Sequence, residues 1–77
     1  MPKPGDASLF LGKLIKRRRK ELNLSQEELA ASSGLHRTYI GLLEQGKRSP
    51  TINTLFMVAR ALHVKPSELF RDIEDGL

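Results

Sequence analysis

The stretch that decides the fold runs from Ser25 to Gly46 and reads SQEELAASSGLHRTYIGLLEQG. Ser25 followed three residues later by Glu28 predicts a capping box. The serine hydroxyl accepts from the Glu28 N–H, and the Glu28 carboxylate reaches back to accept from the Ser25 N–H. Leu29 and Ala30 then face inward, and Gly34 supplies the left-handed residue that ends a short helix near Ser32–Ser33. A second short helix from Arg37 to Gln45 carries Ile40 and Leu43 on one face and stops at Gly46. Two short helices across the turn Gly34-Leu35-His36 predict a steep crossing, the helix-turn-helix arrangement.

Upstream of this unit, Leu11, Leu14, Ile15 and Leu22 recur at spacings of three, four and seven from about Ser8, which predicts a first helix capped by Asp6 or Ser8. Asn23 stands where that helix needs a left-handed residue to stop. Residues 1–6 (MPKPGD) hold two prolines and a glycine and read as a flexible arm ahead of a domain spanning residues 7–77. Downstream, Lys47-Arg48-Ser49-Pro50 reads as a loop, because Pro50 pushes its predecessor out of helical geometry. Thr51 then caps a fourth helix whose apolar positions are Ile52, Leu55, Phe56, Ala59 and Leu62. Pro66, at a first helical position where its missing N–H costs nothing, opens a fifth with Leu69, Phe70 and Ile73. The class is all-α, five helices joined by short turns. Phe56, Leu69 and Phe70 are assigned to the core, although a dimer seam uses the same residue types.

With 77 residues the chain has room for one domain and a thin core, which association would supplement. It has no cysteine, so neither disulfides nor thiolate metal sites staple it. No apolar run approaches the roughly 18 residues of a membrane span and no signal-peptide pattern opens the chain, which places it in the cytoplasm. The net charge of +4 hides an asymmetry: residues 1–65 hold twelve Lys/Arg against five Asp/Glu, and residues 66–77 hold Arg71 against Glu68, Asp72, Glu74 and Asp75. A basic body suits a polyanion, and an acidic tail suits a surface turned away from it.

In a helix-turn-helix the first helix lies over the DNA backbone and the start of the second enters the major groove. The groups that open the second helix and point away from Ile40 and Leu43 are Arg37, Thr38, Gly41 and Leu42, flanked by His36 and Tyr39. Arg37 has the chemistry to grip O6 and N7 of a guanine with two N–H groups. Thr38 hydrogen-bonds a base edge or sets its methyl against thymine. Ser25 and Gln26 stand at a helix N-terminus, where free N–H groups favour a phosphate. The Tyr39 hydroxyl, Lys47 and Arg48 are further phosphate candidates. The five consecutive cations Lys16 to Lys20 read by default as a solvated face. His36 and His63 have no second ligand at metal spacing, so neither metal nor cofactor is expected.

From Gly12 to Phe70 the chain resembles the lambda-repressor-like (XRE-type) helix-turn-helix family. The matching stretches are Gly12 and Ile15, then Arg19-Lys20-Glu21, Leu24-Ser25-Gln26-Glu27-Glu28-Leu29-Ala30 and Gly34. They continue through Leu43-Glu44-Gln45-Gly46-Lys47-Arg48-Ser49-Pro50, Leu55, Ala59-Arg60-Ala61-Leu62, Val64 and Glu68-Leu69-Phe70. His36-Arg37-Thr38-Tyr39-Ile40 is similar to the recognition helix of restriction–modification controller proteins, which are short dimers. The resemblance implies an ion pair between Arg19 and Glu44 linking the first helix to the recognition helix. It also implies a dimer contact through the fifth helix, at Leu69, Phe70 and Ile73. Leu42 departs from a position often polar in the family, so reading there is apolar or absent. Arg18 departs from one often apolar, which adds charge and thins the core.

The expected partners are double-stranded DNA and a second copy of the chain, with no membrane and no small-molecule substrate. An antitoxin or phage-type repressor shares this DNA-binding mode. A membrane-surface module using the basic first helix needs large apolar residues opposite its cations, and those residues are required for the core. A protein-interaction module is the remaining binding class. For an enzyme there is no nucleophile–base pair, no paired carboxylates and no phosphate loop, so no catalytic residue is assigned.

Overall fold

The computed structural model describes Lys3 and residues 5–77, and the expected arm over residues 1–6 falls partly outside them. Five helices follow in order: α1 (Asp6–Glu21), α2 (Gln26–Ser33), α3 (Arg37–Glu44), α4 (Ile52–Ala61) and α5 (Pro66–Gly76). The order and the turn residues agree with the sequence reading, while the start of α1 does not. Gly5 occupies its N-cap in the left-handed region, at φ 94°, and neither Asp6 nor Ser8 caps it. Asp6 instead accepts from the Lys3 N–H through Oδ2 at 2.7 Å, and the Ser8 hydroxyl pairs with that of Ser49 at 2.8 Å. A glycine can thus make the turn into a helix where no side chain caps it.

The other ends follow their local chemistry. Asn23 takes φ 57° after α1, and Gly34 takes φ 76° after α2 with its N–H on the Ala30 carbonyl. Both halves of the Ser25–Glu28 capping box form, at 3.0 and 2.9 Å. Those two hydrogen bonds favour the charged carboxylate and hold the Glu28 pKa below the ordinary glutamate value. Thr51 Oγ1 accepts from the Thr54 N–H, and Pro66 opens α5. His63 takes the left-handed turn after α4, at φ 58°, where no glycine or asparagine is available.

The core gathers one stripe from each helix: Leu11 and Ile15, Leu29 and Ala30, Ile40 and Leu43, Leu55 with Val58, Ala59 and Leu62, then Leu69 and Ile73. The sequence assignments on α4 and α5 need correction. Phe56 and Ile52 are exposed, at 55% and 59%, and Val58 takes the buried place instead. Along α4 the buried set is 55, 58, 59 and 62, and at about 3.6 residues per turn Phe56 lies roughly 100° round from Leu55, outside that stripe. Phe70, also assigned to the core, is 45% exposed.

Gly12 marks where α1 crosses α3. A Cβ built there would lie 2.5 Å from the Leu43 carbonyl oxygen and 2.6 Å from that of Glu44, so only glycine admits this approach. Arg18 occupies an apolar-phase position on α1. Its stem lies partly buried, and its Nε donates to the Leu62 carbonyl at 3.0 Å, which places a cation on the last turn of α4.

Candidate nucleic-acid interface

The site begins at a buried charge cluster beneath the helix-turn-helix. Arg19 Nε donates to Glu44 Oε2 at 2.7 Å and Nη2 donates to Oε1 at 3.1 Å, a two-pronged pair. The third edge of the guanidinium donates from Nη1 to the Leu24 carbonyl at 2.9 Å. Gln26 Nε2 adds a further donor to Glu44 Oε1 at 3.1 Å. Arg19 and Glu44 are both buried, at 8% and 9% exposure. The hydrogen bond to Glu44 outweighs the desolvation that opposes the charge, and the Arg19 pKa is raised above its ordinary value. The cluster joins α1, the loop before α2, the start of α2 and the end of α3, so the orientation of α3 is fixed from its inner face.

On the outer face, the side chains that open α3 are free to meet a ligand. Arg37 and Thr38 are exposed, while Tyr39 is half-buried and packs against the core. Gly41 leaves space beside the Gln26 amide, since a Cβ there would stand 3.9 Å from it. Leu42 is half-buried on the same helix. His36 occupies the α3 N-cap with no side-chain bond to the helix, so no side chain caps the N–H groups of the first turn.

Past α3, Gly46 turns left-handed and the chain closes on itself through Gly46 N–H to the Leu43 carbonyl and Lys47 N–H to the Leu42 carbonyl. Lys47 and Arg48 follow, both exposed, and the Ser8–Ser49 hydroxyl pair ties this loop to α1. Ser25, Gln26, Arg37, Thr38, Tyr39, Leu42, Lys47 and Arg48 therefore sit on the helix-turn-helix and the loop that leaves it. The Ser25 hydroxyl accepts the cap hydrogen bond and keeps its own hydrogen to donate. Gln26 is partly committed inward to Glu44.

Two interactions were not legible from sequence. One is the Gln26–Glu44 bond. The other is an exposed ion pair from Arg37 Nε to Glu27 Oε1, across the turn between the two helices. Glu27 sits in the first turn of α2, and nothing in its local sequence separates it from an ordinary solvated glutamate.

On α5, Leu69 and Ile73 are buried within the chain's own core, so of the three residues assigned to a dimer contact Phe70 alone is exposed, at 45%. Phe70 borders an apolar groove with Ile52, Leu55 and Ile73, closed by Leu11 and Pro50. Among the described residues no helix is long and apolar enough to cross a membrane. The apolar side of α1, opposite its cations, is spent on Leu11 and Ile15 in the core.

A helix-turn-helix family model matches residues 15–69. Control protein C.SmaI of Serratia marcescens is 44% identical over 64 residues, which cover 83% of this chain and 76% of that protein. Among solved structures, the restriction-modification controller protein C.AhdI from Aeromonas hydrophila superposes with a TM-score of 0.79 at 38% identity, covering 82% of this chain and 96% of that one. The controller protein C.Esp1396I, solved as a tetramer in complex with its natural 35-base-pair operator, superposes with a TM-score of 0.80 at 32% identity, covering 90% and 91%. The chain belongs to the lambda-repressor-like (XRE-type) helix-turn-helix family and, within it, is similar to the restriction–modification controller proteins.

Proposed function

We propose that this protein is a sequence-specific, double-stranded-DNA-binding transcriptional regulator, acting in the cytoplasm as a homodimer on a palindromic operator in the manner of a controller protein. The observation that carries the reading is the exposed Arg37-Thr38 pair opening α3, on a helix whose inner face is held by the Arg19–Glu44–Gln26 cluster. A side chain can select a base only if the helix that carries it is held rigidly, and here the cluster holds it.

Arg37 reads guanine through O6 and N7, Thr38 reads an adjoining edge, and Leu42 offers apolar contact to a thymine methyl. Lys47 and Arg48, with the α2 N-terminus at Ser25 and Gln26 and the Tyr39 hydroxyl, hold phosphates and set the register. Phe70 and the apolar groove beside it supply the seam between two copies, with Leu69 and Ile73 backing it from inside. Two recognition helices related by a two-fold axis then meet half-sites about 34–36 Å apart. The tetramer of the similar controller protein on its operator supports this mode of assembly.

The test selects bound sites from random duplex DNA, then measures each variant on the selected and scrambled duplexes over a salt series. Arg37→Ala should cost about 1–3 kcal/mol per half-site on the selected sequence and relax preference at one position. Lys47→Ala or Arg48→Ala should weaken both duplexes alike and lower the salt slope by about 0.9 for each phosphate no longer neutralised. Equal losses on both duplexes for Arg37→Ala would make Arg37 a backbone contact and overturn the assignment.

A further inference from the structure

We propose that Glu27 is a positioning residue for sequence discrimination: it holds the Arg37 guanidinium by its Nε edge and so aims the remaining N–H groups at a single guanine. The inference rests on the reading of Arg37 as the base reader and adds to it how the selectivity arises. Three observations carry it. Glu27 and Arg37 form an ion pair across the α2–turn–α3 junction, and both side chains are otherwise open to solvent, at 64% and 63% exposure. Glu27 is in the first turn of α2, whose start is locked by the Ser25–Glu28 box, so the carboxylate projects from a fixed point. Its neighbour Glu28 is consumed by that box, leaving Glu27 as the carboxylate that meets the reading face.

A free arginine side chain has many rotamers, and its planar fork of five N–H donors meets phosphates on either side as readily as a base edge. Pairing Nε with a carboxylate narrows that choice. The two terminal nitrogens are not engaged by Glu27 and keep their N–H groups, and a guanine needs two N–H donors for its O6 and N7. The same carboxylate acts against the wrong ligand. It offsets the charge of Arg37 and repels phosphate oxygens, so binding that uses Arg37 merely as a cation is weakened. Glu27 therefore lowers affinity for arbitrary sequence while sparing the aimed contact, and selectivity is a difference between those two affinities. An exposed pair adds little to folding, so its placement on this face is explained by recognition rather than by stability.

The experiment measures affinities for the duplex selected from a random pool and for a scrambled duplex of equal composition, using wild type, Glu27→Ala, Arg37→Ala and the double variant. A third duplex replaces the contacted guanine by 7-deazaguanine, which lacks the N7 acceptor. Melting curves verify that each variant is folded. Glu27→Ala should raise affinity for the scrambled duplex and lower the selected-to-scrambled ratio about tenfold, the scale of one well-made base contact. It should also blunt the penalty that wild type suffers with 7-deazaguanine. On the Arg37→Ala background, the Glu27→Ala substitution should leave the ratio unchanged. Glu27→Gln, which keeps an oxygen acceptor for Nε but drops the charge, should retain the 7-deazaguanine penalty while gaining scrambled affinity. If Arg37→Ala lowers the ratio but Glu27→Ala does not, the positioning role is refuted and the base-reader assignment stands. If Arg37→Ala itself leaves the ratio unchanged, both are overturned. If Glu27→Ala changes the ratio equally with and without Arg37, Glu27 acts on DNA by itself and the positioning role fails.

Discussion

Removing Glu44 should unfold much of what holds α3 to α1, and the size of the effect can be worked from the geometry. The carboxylate accepts three hydrogen bonds, two from Arg19 and one from Gln26. In Glu44→Ala the guanidinium of Arg19, a residue 8% exposed in the intact protein, keeps only the Leu24 carbonyl as partner, and its charge is left uncompensated at a site that is buried in the fold. Breaking a buried pair from one side costs about 3–5 kcal/mol. A chain of 77 residues has a total stability of roughly 4–12 kcal/mol, so the loss takes a large share of it. At about 4–8 °C per kcal/mol for a domain of this size, the melting temperature should fall by more than about 12 °C.

Thermal and urea unfolding followed by circular dichroism measure this directly, with Arg19→Met/Glu44→Ala as the control. The double variant removes the buried charge as well, so it should recover part of the loss and give a coupling energy well above the roughly 0–1 kcal/mol of an exposed pair. Raising the salt should change the coupling little, because the pair is shielded from solvent. A Glu44→Ala midpoint within a degree or two of wild type, or a coupling that vanishes at high salt, would refute the bracing role.

Further outcomes are expected at four positions. Gly12→Ala should destabilise by about 1–3 kcal/mol, since the added methyl meets carbonyl oxygens of Leu43 and Glu44 that no side-chain movement can clear; an unchanged urea midpoint would contradict the close approach of α1 and α3. His63→Gly should stabilise by up to about 1 kcal/mol, because relief of the left-handed strain at φ 58° exceeds the added chain entropy; a lowered midpoint counts against it. The Glu28 pKa is lowered in the folded chain, so its contribution is present above the ordinary glutamate pKa and lost as the pH falls through the depressed value. Wild type should therefore be more stable than Glu28→Gln at neutral pH, with the gap closing in acid; a gap independent of pH would show the charge is idle. Phe70→Asp should weaken association in sedimentation and operator affinity with it, and an unchanged dimer would move the seam elsewhere.

What could be read from the sequence was what acts within about four residues of itself. The Ser25–Glu28 box, the left-handed Asn23 and Gly34, the Thr51 cap and the opening Pro66 each have donor, acceptor or backbone requirement within one turn, so the helix order followed from them. The sequence is silent or misleading where two elements must meet before a residue has a role. Phe56 fits an apolar pattern as well as Val58 does, and only the packing of α4 against α2 and α5 decides which of the two faces inward. Arg18 looks like a charge misplaced in a core stripe until the end of α4 is brought to its Nε. His63 shows that a left-handed stop can be imposed by the chain around it, without the local preference that makes Asn23 and Gly34 legible.

The same division explains why the proposed reading face is partly legible in the sequence and the Glu27 contact to it is not. Arg37 and Thr38 stand out because they open a short helix and point away from Ile40 and Leu43, which is a matter of period along one helix. Arg19 with Glu44 is legible only through the family resemblance, since the two lie 25 residues apart and neither marks the other locally. Glu27 had no signal of either kind. Its role depends on the crossing of α2 and α3, which the turn at Gly34 sets and the Gln26–Glu44 bond maintains from beneath. One short segment of α2 thus holds Gln26 facing the buried cluster and Glu27 facing the exposed arginine. A change in the crossing angle would disturb both interactions together, so variants that loosen the cluster should lose base selectivity as well as stability.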